Sequence, residues 1–333
     1  MIAASRDVAL LLLTLQEPGS LPAYVLNAND PDIDRTISQL LLDGVLEIEI
    51  GGAFVSGAAA LGGVSTAGEE RGRIAQISRE ALVYASNLDS DSSLDIEARL
   101  YMYNQAPLTP AWSSKLPNRR AVRSFLGIDQ GPTAALINEY WRESEGDADA
   151  WIQWVSTETR GVPATARSAS YKLYVSPVMS ALPEAFATTV RVLADAGVAA
   201  FKVGATPRDV ARPDKLVAYF RTRERALECA RCIADELSGT DAQGVPFSAG
   251  VDDGGLVSWG MDPADQLGRP PETSWRRWIC RRLAHYIAAA AAESNGGVPP
   301  WQFALERLRL DGVDTTRWEP DPEQLNRATW SSS

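Results

Sequence analysis

Three short segments in the second half of the chain alternate in the same way, and this shared pattern constrains the fold more than any other feature. They read SYKLYVSP (residues 170–177), AAFKVGA (199–205) and KLVAYFRT (215–222). In an extended strand, successive side chains point to opposite faces. One face of the first segment then carries Lys172, Tyr174 and Ser176, and the other carries Tyr171, Leu173 and Val175. In the second, Phe201 and Val203 share a face and Lys202 takes the other. In the third, Leu216, Ala218 and Phe220 oppose Lys215, Tyr219 and Arg221, and Arg212 precedes them in a loop. A lysine is costly to bury unless something pairs with it. The three strands therefore form a sheet with one face on a core and one basic, hydroxyl-bearing face, which is either solvated or a site.

Helical segments separate these strands. The second half reads as strand (171–176), helix (181–196), strand (199–204), loop (205–214), strand (215–222), helix (223–238), a strand or turn region (245–260) and helix (272–293). Connections this short suit a mixed or antiparallel sheet with flanking helices, an α+β architecture. A tail from residue 296 holds a short helix around WQFALERLRLDG and then turns polar and loose.

The front of the chain is built differently. A helix over Asp7–Gln16 and a second in DIDRTISQLLLDG, ended by Gly44, precede LEIEIGGAFVSG, a hairpin turning at Gly51 and Gly52. Two helices and a two-stranded wing outline a winged-helix-like domain over residues 1–62. Residues 63–165 read as a helical and irregular connecting region. It contains a helix near 67–87, a Pro-rich connector PLTPAWSSKLPNRR, a helix in TAALINEYWRES, a strand in WIQWVSTETRG and a mobile loop, GVPATARS. The α+β domain then spans 166–295 and the tail 296–333.

Charge narrows the function. The 333-residue chain carries a net charge of −11, which disfavours general nucleic-acid binding because phosphate neutralisation supplies most of that affinity. The wing domain has no basic recognition helix, since Asp32, Asp34 and Asp43 outweigh Arg35. No apolar run reaches the ~20 residues of a membrane helix. The apolar start lacks a small-residue cleavage pattern and reads as part of a folded domain. Three cysteines, two of them in a helical C-x-x-C (Cys229, Cys232), fit a reducing cytoplasm better than a disulfide framework or a metal site.

Residue types then limit the chemistry. His285 is the only histidine, so no Ser-His-Asp set exists; no phosphate-cradling glycine loop is present, and VDDGG reads as a turn. No cofactor or metal is implied. A lysine becomes a base when burial or a second lysine lowers its pKa, and arginine holds phosphate in a bidentate grip. Lysines, tyrosines and arginines together suit removal of a proton α to a carbonyl with loss of phosphate from the β-carbon.

The order Lys172-x-Tyr174, Lys202, Arg212, Tyr219 and a later arginine near Arg276 resembles the phosphothreonine lyase fold of bacterial effectors and the lyase domains of lanthipeptide synthetases. ARPDKLVAYF with PFSAGVDDGGLVSWGMDP resembles the HopA1-type effector family, whose members occur in biosynthesis of class V lanthipeptides and thioamitides. The resemblance covers roughly residues 165 to 285. It implies elimination of phosphate from phosphoserine or phosphothreonine of a ribosomal precursor peptide, giving dehydroamino acids. It also implies a separate Ser/Thr kinase, a heteromeric synthetase complex, and leader binding by the wing.

On that resemblance Lys172 is the α-proton base and Lys202 stabilises the enolate. Arg212, Tyr219, Arg221 and one of Arg276 or Arg277 hold phosphate. The effector lyases carry a histidine acid two residues after the lysine, where this chain has Tyr174. Either Tyr174 protonates the leaving phosphate, or the phosphate departs unprotonated, or the chain is a non-catalytic or cyclase-assisting peptide-binding subunit.

Overall fold

The computed structural model describes residues 31–63, 72–90, 92–144, 150–157, 171–263, 274–292 and 298–321. The chain divides into two compact units, residues 1–65 with 293–298 and residues 66–292 with 299–333. In the first unit, helix α1 (Pro31–Leu42) buries Leu41 and Leu42. Strands β1 (Ile48–Ile50) and β2 (Ala53–Val55) form the expected antiparallel hairpin, with Ile48 opposite Val55. Gly51 and Gly52 turn it at φ of 61° and 84°, a region that glycine enters without penalty. The helix expected at 7–16, which a winged helix also needs, lies outside the described residues, as do the loop expected at 161–168 and residues 322–333.

The second unit opens with helices α2 (Gly72–Ser86), α3 (Ser93–Met102), α4 (Pro110–Lys115), α5 (Arg119–Phe125) and α6 (Pro132–Tyr140). The Pro-rich stretch expected to be irregular is therefore two short helices. Capping explains the difference. Thr109 accepts the Trp112 N–H and Pro110 sits in the first turn of α4, while Asn118 accepts the Ala121 N–H at the start of α5.

Strands β3 (Trp141–Glu143), β4 (Trp151–Ser156) and β5 (Tyr171–Val175) lead into helix α7 (Leu182–Asp195), β6 (Ala200–Gly204) and the short α8 (Pro207–Val210). Strand β7 (Leu216–Phe220), helix α9 (Arg223–Glu236), β8 (Ala249–Gly250), β9 (Val257–Met261) and helix α10 (Trp275–Ala292) follow. Helix α11 (Pro300–Leu310) precedes a small hairpin, β10 (Val313–Asp314) with β11 (Glu319–Pro320), in the stretch expected to be loose. None of the described helices is long and apolar enough to cross a membrane.

Strands β3 to β9 form one seven-stranded sheet in the order β3-β4-β6-β7-β5-β9-β8. All of its pairings are antiparallel. Register decides what each face presents. Gln153 lies opposite Lys202, Lys202 opposite Val217, Tyr219 opposite Lys172, and Lys172 opposite Gly260. Lys172, Tyr174, Lys202 and Tyr219 thus share a face with Trp151, Gln153 and Ser258.

The opposite face is apolar: Ile152, Trp154, Leu173, Val175, Phe201, Val203, Leu216, Ala218, Val257 and Trp259 all lie in the main core. Helix α7 covers it with a stripe of Leu182, Phe186, Val190 and Leu193 at helical spacing, and Phe186 packs near the stacked Trp154–Phe201 pair. Helix α9, capped by Thr222, lays Ala226, Cys229, Ala230 and Ile233 against the same core. Each large side chain so buried contributes about 1.5–3 kcal/mol, which locks the register and with it the other face.

Candidate active site

That other face is largely covered, with Lys202, Trp151 and Gln153 half-buried. Lys172 is 8% exposed, Tyr174 3% and Tyr219 6%. Lys172 and Lys202 stand two strands apart yet converge above β7, their ammonium nitrogens 5.8 and 5.9 Å from the centre of the Tyr219 ring. Lys202 also packs on Trp151, 3.9 Å from the ring centre. Burial first, then the charge of Lys172, lowers the pKa of Lys202 to about 8, against the opposing pull of Asp214 and Asp262. Lys172 instead forms an ion pair with Asp262, whose second oxygen accepts the Trp275 backbone N–H at 2.7 Å. Burial, and after it Asp262, raises the Tyr174 hydroxyl well above its ordinary pKa. Burial raises Tyr219 in the same way.

Beside the lysines lies a second cluster organised by Asp214. The Arg212 guanidinium donates to both Asp214 oxygens at 2.9 Å and to the Tyr101 hydroxyl at 3.1 Å. Arg276, 1% exposed, approaches the same carboxylate at 2.9 Å and donates to the Tyr101 carbonyl. Both guanidiniums lie over the Tyr101 ring, and Arg212 also lies 5.0 Å from the Trp151 ring centre. Burial alone pushes the Asp214 carboxyl up, but Arg276 and Arg212 outweigh it and hold the group well below the usual carboxylate range. Asp214 in turn keeps Arg212 firmly charged despite its burial. One edge of Arg212 is committed to this pairing, which fixes the direction of the remaining edge.

Local sequence explains why these groups meet. The turn of α8 rides directly on Gly204, where a Cβ would lie 2.6 Å from the Asp209 carbonyl carbon. A reciprocal capping box between Thr206 and Asp209 fixes that turn, and Arg212 follows it. The loops are tied at their feet by Lys215 and Gln243. The buried Lys215 ammonium donates to the Pro177 carbonyl at 2.7 Å and to the Gln243 side chain. The Gln243 amide donates to the carbonyls of Asn104 and Ala211. Burial lowers the Lys215 pKa to about 7, with Asp214 pulling the other way. At the far side Gly260 leaves room for Trp275, since a Cβ there would sit 2.3 Å from the indole ring.

The structure brings together Lys172, Tyr174, Lys202, Tyr219, Arg212 and Arg276. It does not bring in two others from the sequence reading. Arg221 lies just past the end of β7 and is exposed. Arg277 points to the outer side of α10, pairing with Glu97 at 3.2 Å. Asp214, Asp262, Tyr101 and Trp151 were absent from the sequence reading of the site. For Asp262 a signal existed: it continues the alternation of Ser258 and Gly260 beyond β9.

No protein-family model matches the chain, and no curated protein matches it in sequence. Among solved structures, an effector protein from Pseudomonas syringae pv. syringae strain 61 is similar at TM-score 0.43 and 15% identity, over 75% of this chain and 99% of that one. An effector from Pseudomonas syringae pv. tomato strain DC3000 is similar at TM-score 0.45 and 13% identity, over 74% and 98% of the two chains. The type III effector/phosphothreonine lyase OspF from Shigella flexneri is similar at TM-score 0.31 and 16% identity, over 39% and 77%.

Proposed function

We propose that this protein is a lyase that removes phosphate from phosphoserine or phosphothreonine in a ribosomal precursor peptide, leaving a dehydroamino acid. The observation that carries the reading is the convergence of two lysines over one tyrosine ring beside an arginine aligned by a buried carboxylate. Elimination needs a base at the α-carbon, a cation at the carbonyl oxygen where the enolate forms, and positive charge at the departing phosphate. The two lysines supply the first pair of functions and Arg212 the third, with Arg276 holding Asp214 in place. The Cα–H bond breaks to the base, its electron pair forms the Cα=Cβ bond, and the Cβ–O bond breaks with its pair leaving on phosphate. No redox partner enters the balance.

On the resemblance read from the sequence, Tyr174 takes the position of the effector lyases' histidine acid. Its raised pKa makes it a hydrogen-bond donor rather than a proton donor. In this reading phosphate therefore departs without a proton from Tyr174, and Arg212 carries the charge stabilisation. A separate Ser/Thr kinase supplies the phosphate. The leader of the precursor adds a strand to the β1–β2 hairpin, where Phe54 is 65% exposed.

Incubating the protein with a kinase-phosphorylated precursor peptide and following the peptide by mass spectrometry tests the reading. Loss of phosphoric acid supports it. Tight binding of the phosphopeptide with no elimination supports the accessory-subunit reading instead.

A further inference from the structure

Cations and aromatic rings alternate along the enclosed face. Arg276 lies 4.9 Å from the centre of the Tyr101 ring, and Arg212 lies 5.4 Å from the same centre. Arg212 is also 5.0 Å from the Trp151 ring centre, and Lys202 rests 3.9 Å from that one. Lys202 and Lys172 then share the Tyr219 ring. A carboxylate closes the series at each end, Asp214 at the arginines and Asp262 at Lys172. Trp151 stands in the middle. Among the described residues, no other ring lies against both a lysine and an arginine of the site.

The cations are held unequally. Arg212 has Asp214 and the Tyr101 hydroxyl, Arg276 has Asp214, and Lys172 has Asp262. Among the described residues, Lys202 has no hydrogen bond and no carboxylate within ion-pair distance, so its place rests on Trp151 and, more distantly, Tyr219. Trp151 itself is fixed from the sheet. It opens β4 directly opposite Gly204 of β6, the glycine on which the α8 turn rides, and the Ala205 N–H donates to the Ala150 carbonyl at 3.0 Å beside it. The indole thus stands where the strand that carries Lys202 and the turn that delivers Arg212 part.

From this placement we infer that Trp151 is a positioning residue, whose ring sets the spacing between the lysine side of the site and its phosphate side. The inference rests on the lyase reading. In a β-elimination the α-hydrogen and the departing phosphate belong to neighbouring carbons of one residue, so the groups that meet them must keep one fixed separation. A stiff, flat indole against both Lys202 and Arg212 keeps it without a charge of its own. A carboxylate in that place would pair with one cation and compete with the phosphate for it.

Trp151→Leu removes the ring and keeps an apolar side chain, whereas Trp151→Phe keeps a ring face. With a synthetic phosphothreonine peptide, the single-turnover elimination rate of Trp151→Leu should fall about thirty- to a hundredfold, the order that a misplacement of about 1 Å costs. The Kd of the peptide should stay close to wild type, because Asp214 and Tyr101 still hold Arg212. Trp151→Phe should recover most of the rate. A wild-type rate in Trp151→Leu, a loss carried by Kd alone, or a Phe variant no better than Leu overturns the inference.

A readout without substrate separates this inference from the lyase reading. In protein with isotope-labelled lysine, the ε-methylene resonance of Lys202, assigned by its loss in Lys202→Arg, should lie upfield in the ring current of Trp151. It should return towards the exposed-lysine position in Trp151→Leu and stay upfield in Trp151→Phe. A resonance that Trp151→Leu leaves in place overturns the inference whatever the reaction. If the resonance moves as expected and the wild type eliminates nothing, the lyase reading falls while Trp151 remains the spacer between Lys202 and Arg212.

Discussion

Replacing Asp214 with asparagine removes the charge around which the phosphate side of the site is built while nearly keeping its volume. The carboxylate faces Arg212 through two hydrogen bonds of 2.9 Å and Arg276 through a third approach of 2.9 Å. Arg276 is 1% exposed and Asp214 7%, so neither can be rehydrated in place. Breaking a buried pair from one side costs about 3–5 kcal/mol, because the partner charge is left uncompensated. Asp214→Asn should therefore lose about 3–5 kcal/mol in urea denaturation at pH 7, and any phosphopeptide affinity should fall with it as Arg212 loses its alignment.

The pH dependence of that loss is fixed in sign. The folded-state pKa of Asp214 lies below its unfolded value, so its stabilisation is complete above the unfolded pKa and is lost as pH falls through the folded one. The gap between wild type and Asp214→Asn should begin to shrink below about pH 4. A double-mutant cycle isolates the pair: Asp214→Asn with Arg276→Met should be destabilised by clearly less than the sum of the single variants. An Asp214→Asn loss under about 1 kcal/mol, or additivity in the cycle, would refute the claim that Asp214 is the charge hub of the site.

Arg212→Lys keeps the charge but loses the fork that meets Asp214 and Tyr101, and it should weaken phosphopeptide binding by roughly ten- to a hundredfold while leaving the unphosphorylated peptide unaffected. Calorimetry with the two peptides decides it, and equal losses would make Arg212 a structural ion-pair partner only. Lys215 has its folded pKa lowered to about 7, so the unfolded chain binds more protons between there and the ordinary lysine range. Wild type should gain up to about 1.4 kcal/mol per pH unit over Lys215→Met across that window, measured by urea midpoints at two pH values; a flat difference contradicts a lowered folded-state pKa for Lys215. Gly260→Ala drives a Cβ into the Trp275 ring, and thermal denaturation should report about 1–3 kcal/mol of lost stability, with wild-type stability as the result that removes the close approach.

What the sequence made legible, and what it did not, follows from the range of the forces involved. The alternation in residues 170–177, 199–205 and 215–222 is a local property of extended backbone, and it put Lys172, Tyr174, Lys202 and Tyr219 on one face before any neighbour was known. Helix phase carried similar information for the arginine pair: Arg276 shares its stripe with Ile279, Cys280 and Leu283, whereas Arg277 falls outside it. The same argument had been available for Asp262, because a strand at 257–261 continues Ser258, Gly260 and Asp262 on the lysine face. Reading that region as strand or turn hid the partner of Lys172.

Whether the basic face was solvated or enclosed had no local signature at all. Tyr101 reaches Asp214 across 113 positions of sequence, and Arg276 reaches Tyr101 across 175. Those contacts turn scattered cations into a cluster in which, among the described residues, Lys172 is ion-paired and Lys202 is not. The distinction that matters for chemistry is therefore set by loops outside the strands. Two chains with the same three strands but different residues at 214 and 262 would present the same alternation and support different acid–base behaviour.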